Sequence, residues 1–207
     1  MKSMTKRLLA ALLAVAALFA LAGCSKSNKA DAAPKDYTKI LHDARPDEDN
    51  EYYMIFSPGE DGKFTAQYGY SDSYDAAQLD EEIRNMLLPL LNLEEDMYTD
   101  FAASVSGMMV QSYGIAIVKP AEGKQQAVSE ALDAYVQSQM QSMEHYLEDQ
   151  YQIAASSHIS TAPTGEVILV CCENPEAVMH AIKTALDADA PPHSCFNRAL
   201  PWGSSLL

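Results

Sequence analysis

The chain holds four cysteines, and the spacing of three of them bounds the chemistry to consider. Cys171 and Cys172 are adjacent, and Cys195 follows closely on His193. Side chains of these types act as small buried hydrophobes, close disulfides, or together ligate a soft metal. Neighbouring residues of a strand point to opposite faces, so Cys171 and Cys172 are expected to diverge, one into the core and one outward. That divergence argues against a metal site built from Cys171, Cys172, His193 and Cys195. It leaves a buried thiol beside a partly exposed one, with a disulfide from Cys195 to either of the pair as the rival reading in an oxidising compartment.

Other catalytic patterns are weaker still. "ASVSGM" is only superficially like a Gly-x-Ser-x-Gly nucleophile elbow. His42, His145, His158, His180 and His193 are scattered, without His-Glu-x-x-His spacing, and neither a Walker loop nor a dinucleotide fingerprint occurs. "DARPDEDNE" gathers Asp43, Asp47, Asp49 and Glu51 but lacks the glycine and terminal glutamate spacing of an EF-hand loop. No catalytic residue, resident metal or cofactor is expected. Glu144, Glu148 and Asp149 read as a solvated face; Met140, Met143 and the pair Met108-Met109 read as core fillers.

Cys24 belongs to a different chemistry. Lys2, Lys6 and Arg7 precede an uncharged apolar run from Leu8 to Ala22, the layout of a secretory signal, and that run is shorter than the about 20 residues a membrane helix needs. It ends in Leu21-Ala22-Gly23-Cys24, which resembles the lipobox of bacterial lipoproteins. The resemblance implies cleavage before Cys24 and a diacylglyceryl group on its sulfur. Two acyl chains, at about 0.8 kcal/mol per buried methylene, anchor stably where one is marginal. The expected location is therefore the extracytoplasmic face of the cell membrane, with membrane lipid held through Cys24. Residues 1–23 are read as signal peptide and 24–35 as a flexible polar linker, whose Lys26, Lys29 and Lys35 suit anionic headgroups.

With 14 Lys+Arg against 29 Asp+Glu, the formal charge is −15, and removing the leader takes away basic side chains only. Nucleic acid is a poor partner for such a chain, since phosphate binding needs a basic footprint. A protein of the cell envelope is the expected macromolecular partner.

Periodicity supplies the elements that must position these residues. Residues 36–45 have helical spacing, and two aromatic-rich runs flank a turn at Ser57–Gly62 to suggest a hairpin. "LDEEIRNMLLPLLNL" reads as a helix interrupted by Pro89. Two strands are expected between Tyr98 and Lys119, the second, "YGIAIVK", being apolar on both faces and hence central. A long amphipathic helix follows, carrying Val128, Leu132, Val136, Met140, Met143 and Leu147 through to Gln150. Strands around Tyr151–Thr161 and Val167–Cys172 come next, then a helix opened by Asn174-Pro175 and closed by Pro191-Pro192. The expected class is α+β, a mostly antiparallel sheet with helices packed on one face in a β-β-α-β-β-α core. The expected organisation is an N-terminal extension over 36–79, the α+β domain over 80–190, and a C-terminal tail over 191–207.

"SVSGMMVQSYGIAIVKPAEGKQQAV", "HYLEDQYQIAASSHIST" and "GEVILVCCENPEAVMHAIKTAL" together resemble the family known as domain of unknown function 4358, over roughly residues 80–188. That family occurs in lipoproteins of Gram-positive, largely anaerobic, spore-forming bacteria and their gut relatives. The resemblance implies fold and location, and it carries no catalytic residues. The expected role is thus a lipid-anchored, non-catalytic binding or interaction module. The alternatives are a small envelope enzyme or thiol-redox protein using Cys171, Cys172 or Cys195, and a solute-binding lipoprotein.

Overall fold

The computed structural model describes residues 34–108 and 110–188. The lipobox residues Leu21, Ala22, Gly23 and Cys24, together with Met109, His193, Cys195 and the 191–207 tail, lie outside the described residues.

Helix α1 (Tyr37–Ala44) starts where the Asp36 side chain accepts the Lys39 N–H, a first-turn cap. The short acidic α2 (Asp47–Tyr52) follows. Strands β1 (Ile55–Pro58) and β2 (Phe64–Gln67) form the expected hairpin, and a 3-10 turn spans Gly69–Ser73. Helix α3 (Ala76–Glu82) has a full capping box from Asp75 and Gln78. It widens into a π turn at Ile83–Leu87 before the last turn, α4 (Leu88–Leu90). Pro89 accounts for the widening, because its ring clashes with the carbonyl four residues back and it has no N–H to give.

Strands β3 (Tyr98–Val105) and β4 (Gly114–Pro120) pair antiparallel as expected. The long helix is shorter than the periodicity predicts: α5 covers Gln125–Met143, and a separate α6 covers Glu148–Ala155. Much of the segment expected to be a strand from Tyr151 is thus helical, and β5 is only His158–Thr161. Strand β6 (Val167–Cys171) and helix α7 (Pro175–Ala188) complete the fold.

The six strands form one sheet in the order β2-β1-β3-β4-β6-β5, every pairing antiparallel. The α+β class and the mostly antiparallel sheet are as expected. The helices, however, cover both faces, which corrects the one-sided arrangement. On one face, Ala116, Val118, Val167 and Leu169 pack with Ile83 and Leu87 of the α3 region and with Val128, Leu132 and Tyr135 of α5. On the other, Ile115, Ile117, Ile168 and Val170 pack with Ile40 and Leu41 of α1 and with Val178, Ile182 and Leu186 of α7. Strands buried on two faces must be apolar there, as residues 114–118 of β4 and all of β6 are.

Lys35 also departs from expectation. Instead of facing lipid from a linker, its side chain is sunk against the start of β6, with Nζ 3.1 Å from Glu166 Oε1 and 3.2 Å from the Leu186 carbonyl. None of the described helices is long and apolar enough to cross a membrane.

Candidate functional site

A cleft of about 520 Å³ opens at the end of the sheet where β6 passes into α7, the end of β6 away from Lys35 and Glu166. Its walls come from five segments far apart in sequence. Helical spacing sets Glu48, Asp49 and Tyr52 of α2 on one side, with Tyr53 just beyond. Tyr70 is held in place by Gly69: φ is +52°, and a Cβ there would stand 2.6 Å from the Met54 backbone nitrogen. Only glycine lets the 3-10 turn lie so close, bringing the Tyr70 ring edge-on to Tyr52 at 6.5 Å. The β3–β4 loop contributes Met108, Gln111, Ser112 and Tyr113; α6 contributes Gln150 and Ile153; the β6–α7 junction contributes Cys172, Glu173 and Asn174.

The tyrosines are fixed by more than packing. Tyr53 and Tyr113 stack at 3.8 Å with planes 11° apart, and the Tyr53 hydroxyl donates to Gln111 Oε1 at 3.0 Å. Behind them lies the buried Arg45. Its guanidinium donates to Asn50 Oδ1 (2.7 Å), Ser104 Oγ (2.7 Å), the Tyr113 hydroxyl (3.2 Å) and the Tyr53 carbonyl (2.8 Å). Four charge-assisted bonds tie α1, α2 and β3 to the stacked pair, making the rear wall rigid. Gln150 Oε1 accepts the Ser112 N–H at 2.9 Å and so fixes the loop to α6.

Two features of the cleft remain unresolved internally. Ser112 is 2 % exposed, and its hydroxyl has no hydrogen-bond partner; a buried polar atom in that state carries a desolvation penalty. Asp49 is half-buried. Burial pushes its carboxyl above the usual carboxylate range, while the Tyr113 hydroxyl and Arg45 pull it down without cancelling the rise and Glu48 and Glu173 add to it. The cleft wall thus carries three carboxylates, and among the described lining residues there is no lysine, arginine or histidine.

The expected thiol divergence holds in direction and fails in exposure. Cys171 faces the α5 side and Cys172 the α7 side, yet both are buried, because each sheet face is covered. Burial raises both thiols, Cys172 to about 11. Both are therefore protonated at neutral pH and unlike reactive cysteines, which have depressed values. Among the described residues no group of three or more His, Cys, Asp or Glu is placed to hold a metal ion.

The other singled-out residues scatter. His42 packs against Tyr68 with the rings tilted 30° and contacts Asp43, whereas His145, His158 and His180 are exposed in separate places. Asp43 pairs with Lys39, and of the acidic run only Asp49 and Glu48 reach the cleft. Met143 fills the core as expected; Met108 is 56 % exposed at the cleft instead. The tyrosines, Ser112 and Arg45 escaped a reading organised around nucleophiles and metal ligands. Their signal was the tyrosine content, 11 against 5 Phe, concentrated in "EYYM", "YGYSDSY" and "QSYG".

Fold and cleft together define a small α+β domain, a helix-covered antiparallel sheet with an acidic, tyrosine-lined opening at one end. Its residues 71–172 match the family described as Domain of unknown function (DUF4358). The match begins ahead of the resemblance noted over 80–188 and stops at Cys172, leaving out Glu48, Asp49 and Glu173. No curated protein and no solved structure matches the chain.

Proposed function

We propose that the chain is a lipid-anchored binding module on the extracytoplasmic face of a bacterial membrane, tethered through Cys24 and binding its ligand in the tyrosine-lined cleft. The observation that carries the binding role is the cleft itself. Its volume suits a small molecule or an inserted side chain, and its rear wall is held by the Arg45 hydrogen bonds. A nucleophile paired with a base would point to catalysis, and the one thiol among the described lining residues, that of Cys172, has its pKa raised by burial. The leader ending Leu21-Ala22-Gly23-Cys24 supports the tether.

The test has two arms. Full-length protein made in a bacterial host is expected in the membrane fraction with acylated Cys24, and Cys24→Ser is expected to abolish the acylation. The folded chain is then screened by thermal shift against cationic, neutral and anionic metabolites and short peptides. At 100 times its Kd a true ligand stabilises by about 2.7 kcal/mol, and Tyr70→Ala is expected to reduce that shift. Soluble, unacylated protein refutes the tether; no ligand in any chemical class refutes the binding role.

A further inference from the structure

We infer that the cleft binds a small organic cation, an ammonium or a guanidinium. This rests on the cleft being a binding site and goes on to name what it takes.

Charge comes first. Glu48, Asp49 and Glu173 line one opening with no basic side chain among the described lining residues. Arg45 lies behind the wall, where it donates to Asn50, Ser104, Tyr113 and Tyr53, and its charge offsets only part of that of the three carboxylates. Asp49 is half-buried in this setting beside Glu48 and Glu173, and an incoming cation favours its charged form where an anion opposes it.

Aromatic faces come second. Tyr52 and Tyr70 are 51 % and 57 % exposed at the rim, and Tyr53 and Tyr113 are stacked at the back. Tyrosine rings attract cations through their quadrupoles, so carboxylates and rings favour the same charge sign. Large aromatic side chains left so exposed, yet held by Gly69 and by ring contacts, form a surface prepared before any ligand arrives.

Coordination comes third and separates an organic cation from a metal ion. A bare divalent metal would need several convergent ligands, and among the described residues no group of three or more such side chains is placed to hold one.

The test is calorimetric titration of the folded chain with a matched four-carbon set: putrescine, its neutral counterpart 1,4-butanediol and its anionic counterpart succinate, with agmatine and choline added. Putrescine, agmatine or choline is expected to bind, more weakly at higher ionic strength, with the diol and succinate silent. Glu173→Gln is expected to weaken binding about fivefold, as for one partly screened charge pair. Tyr70→Ala is expected to weaken it roughly three- to fivefold through its ring. Both residues are exposed, so neither change threatens the fold. Binding of the diol or succinate in preference to the diamine overturns the cation assignment and leaves the cleft a binding site. Diamine binding that ignores both substitutions moves the site elsewhere, and silence of the five probes, with hits from the wider screen, overturns the ligand class alone.

Discussion

Replacing Lys35 by methionine removes one charge from a nearly sealed ion pair. Lys35 and Glu166 side chains are 10 % and 4 % exposed, with Nζ 3.1 Å from Oε1, and Nζ also donates to Thr164 Oγ1 at 3.1 Å and to the Leu186 carbonyl at 3.2 Å. Methionine keeps the apolar stem and strands the Glu166 carboxylate. Breaking one side of a buried pair costs about 3–5 kcal/mol. Here the Tyr37 hydroxyl at 3.0 Å and the Thr164 hydroxyl still bond the carboxylate, so the expected loss is about 2–3 kcal/mol.

Its pH dependence follows from Glu166. Burial alone would raise that carboxyl, but bonds from Thr164, its own backbone N–H, Lys35 and Tyr37 outweigh burial and leave it below its ordinary 4.5. A folded-state value below the unfolded one gives stabilisation that is complete above about pH 4.5 and lost as pH falls through the lower folded value. Urea denaturation at a series of pH values is therefore expected to show the wild-type advantage at neutral pH and its disappearance in acid. Adding Glu166→Gln to Lys35→Met is expected to recover much of the loss. A loss below about 0.5 kcal/mol, the size of an ordinary surface change, or a loss independent of pH, refutes the reasoning.

Three further outcomes are expected. Gly114→Ala places a Cβ 2.6 Å from the Tyr135 hydroxyl, a hydroxyl that donates to the Tyr113 carbonyl at 2.7 Å; thermal unfolding should report a loss of about 1–3 kcal/mol from overpacking. In a Cys24→Ser, Cys195→Ser background, Cys171 and Cys172 should resist a disulfide reagent at neutral pH until denaturant is added, and reaction of Cys172 at a free-thiol rate would contradict its burial and raised value. Ser112→Ala removes a buried, unpartnered hydroxyl, so stability should hold or rise; a stability loss above about 1 kcal/mol would mean the hydroxyl is bonded after all.

Much of the fold was legible because its signals are local. The β1–β2 hairpin, the β3–β4 pair with β4 central, the turn before β6 and the proline-opened α7 were all read from alternation, apolar runs and turn residues. The two-sided covering was less legible, although β4 and β6 stated it: strands apolar on both faces need helices on both. The break between α5 and α6 was hidden because apolar spacing continues across Glu144–Leu147, where the backbone leaves the helix. The cleft was the least legible part. Its walls are assembled by tertiary contact from α2, the 3-10 turn, a loop, α6 and the β6–α7 junction, and tyrosines and amides carry no diagnostic spacing. Arg45 illustrates the difficulty, since within an acidic run it reads as a surface charge, and only the fold places it under two rings.

Burial on both faces also changes how strand alignment is enforced. In a sheet with one wet face, a one-residue slip exposes apolar side chains to water and is penalised at once. In β4 and β6 the same slip would exchange one greasy surface for another, so polarity supplies little proofreading. Discrimination must come from size. Towards α5, β4 offers Gly114 and Ala116, leaving room for the buried Tyr135 ring; towards α7 it offers Ile115 and Ile117. A slipped β4 would drive isoleucines into the space reserved for tyrosine and leave voids beneath α7. The small residues of the central strand thus act as a key, and the penalty for misalignment is steric.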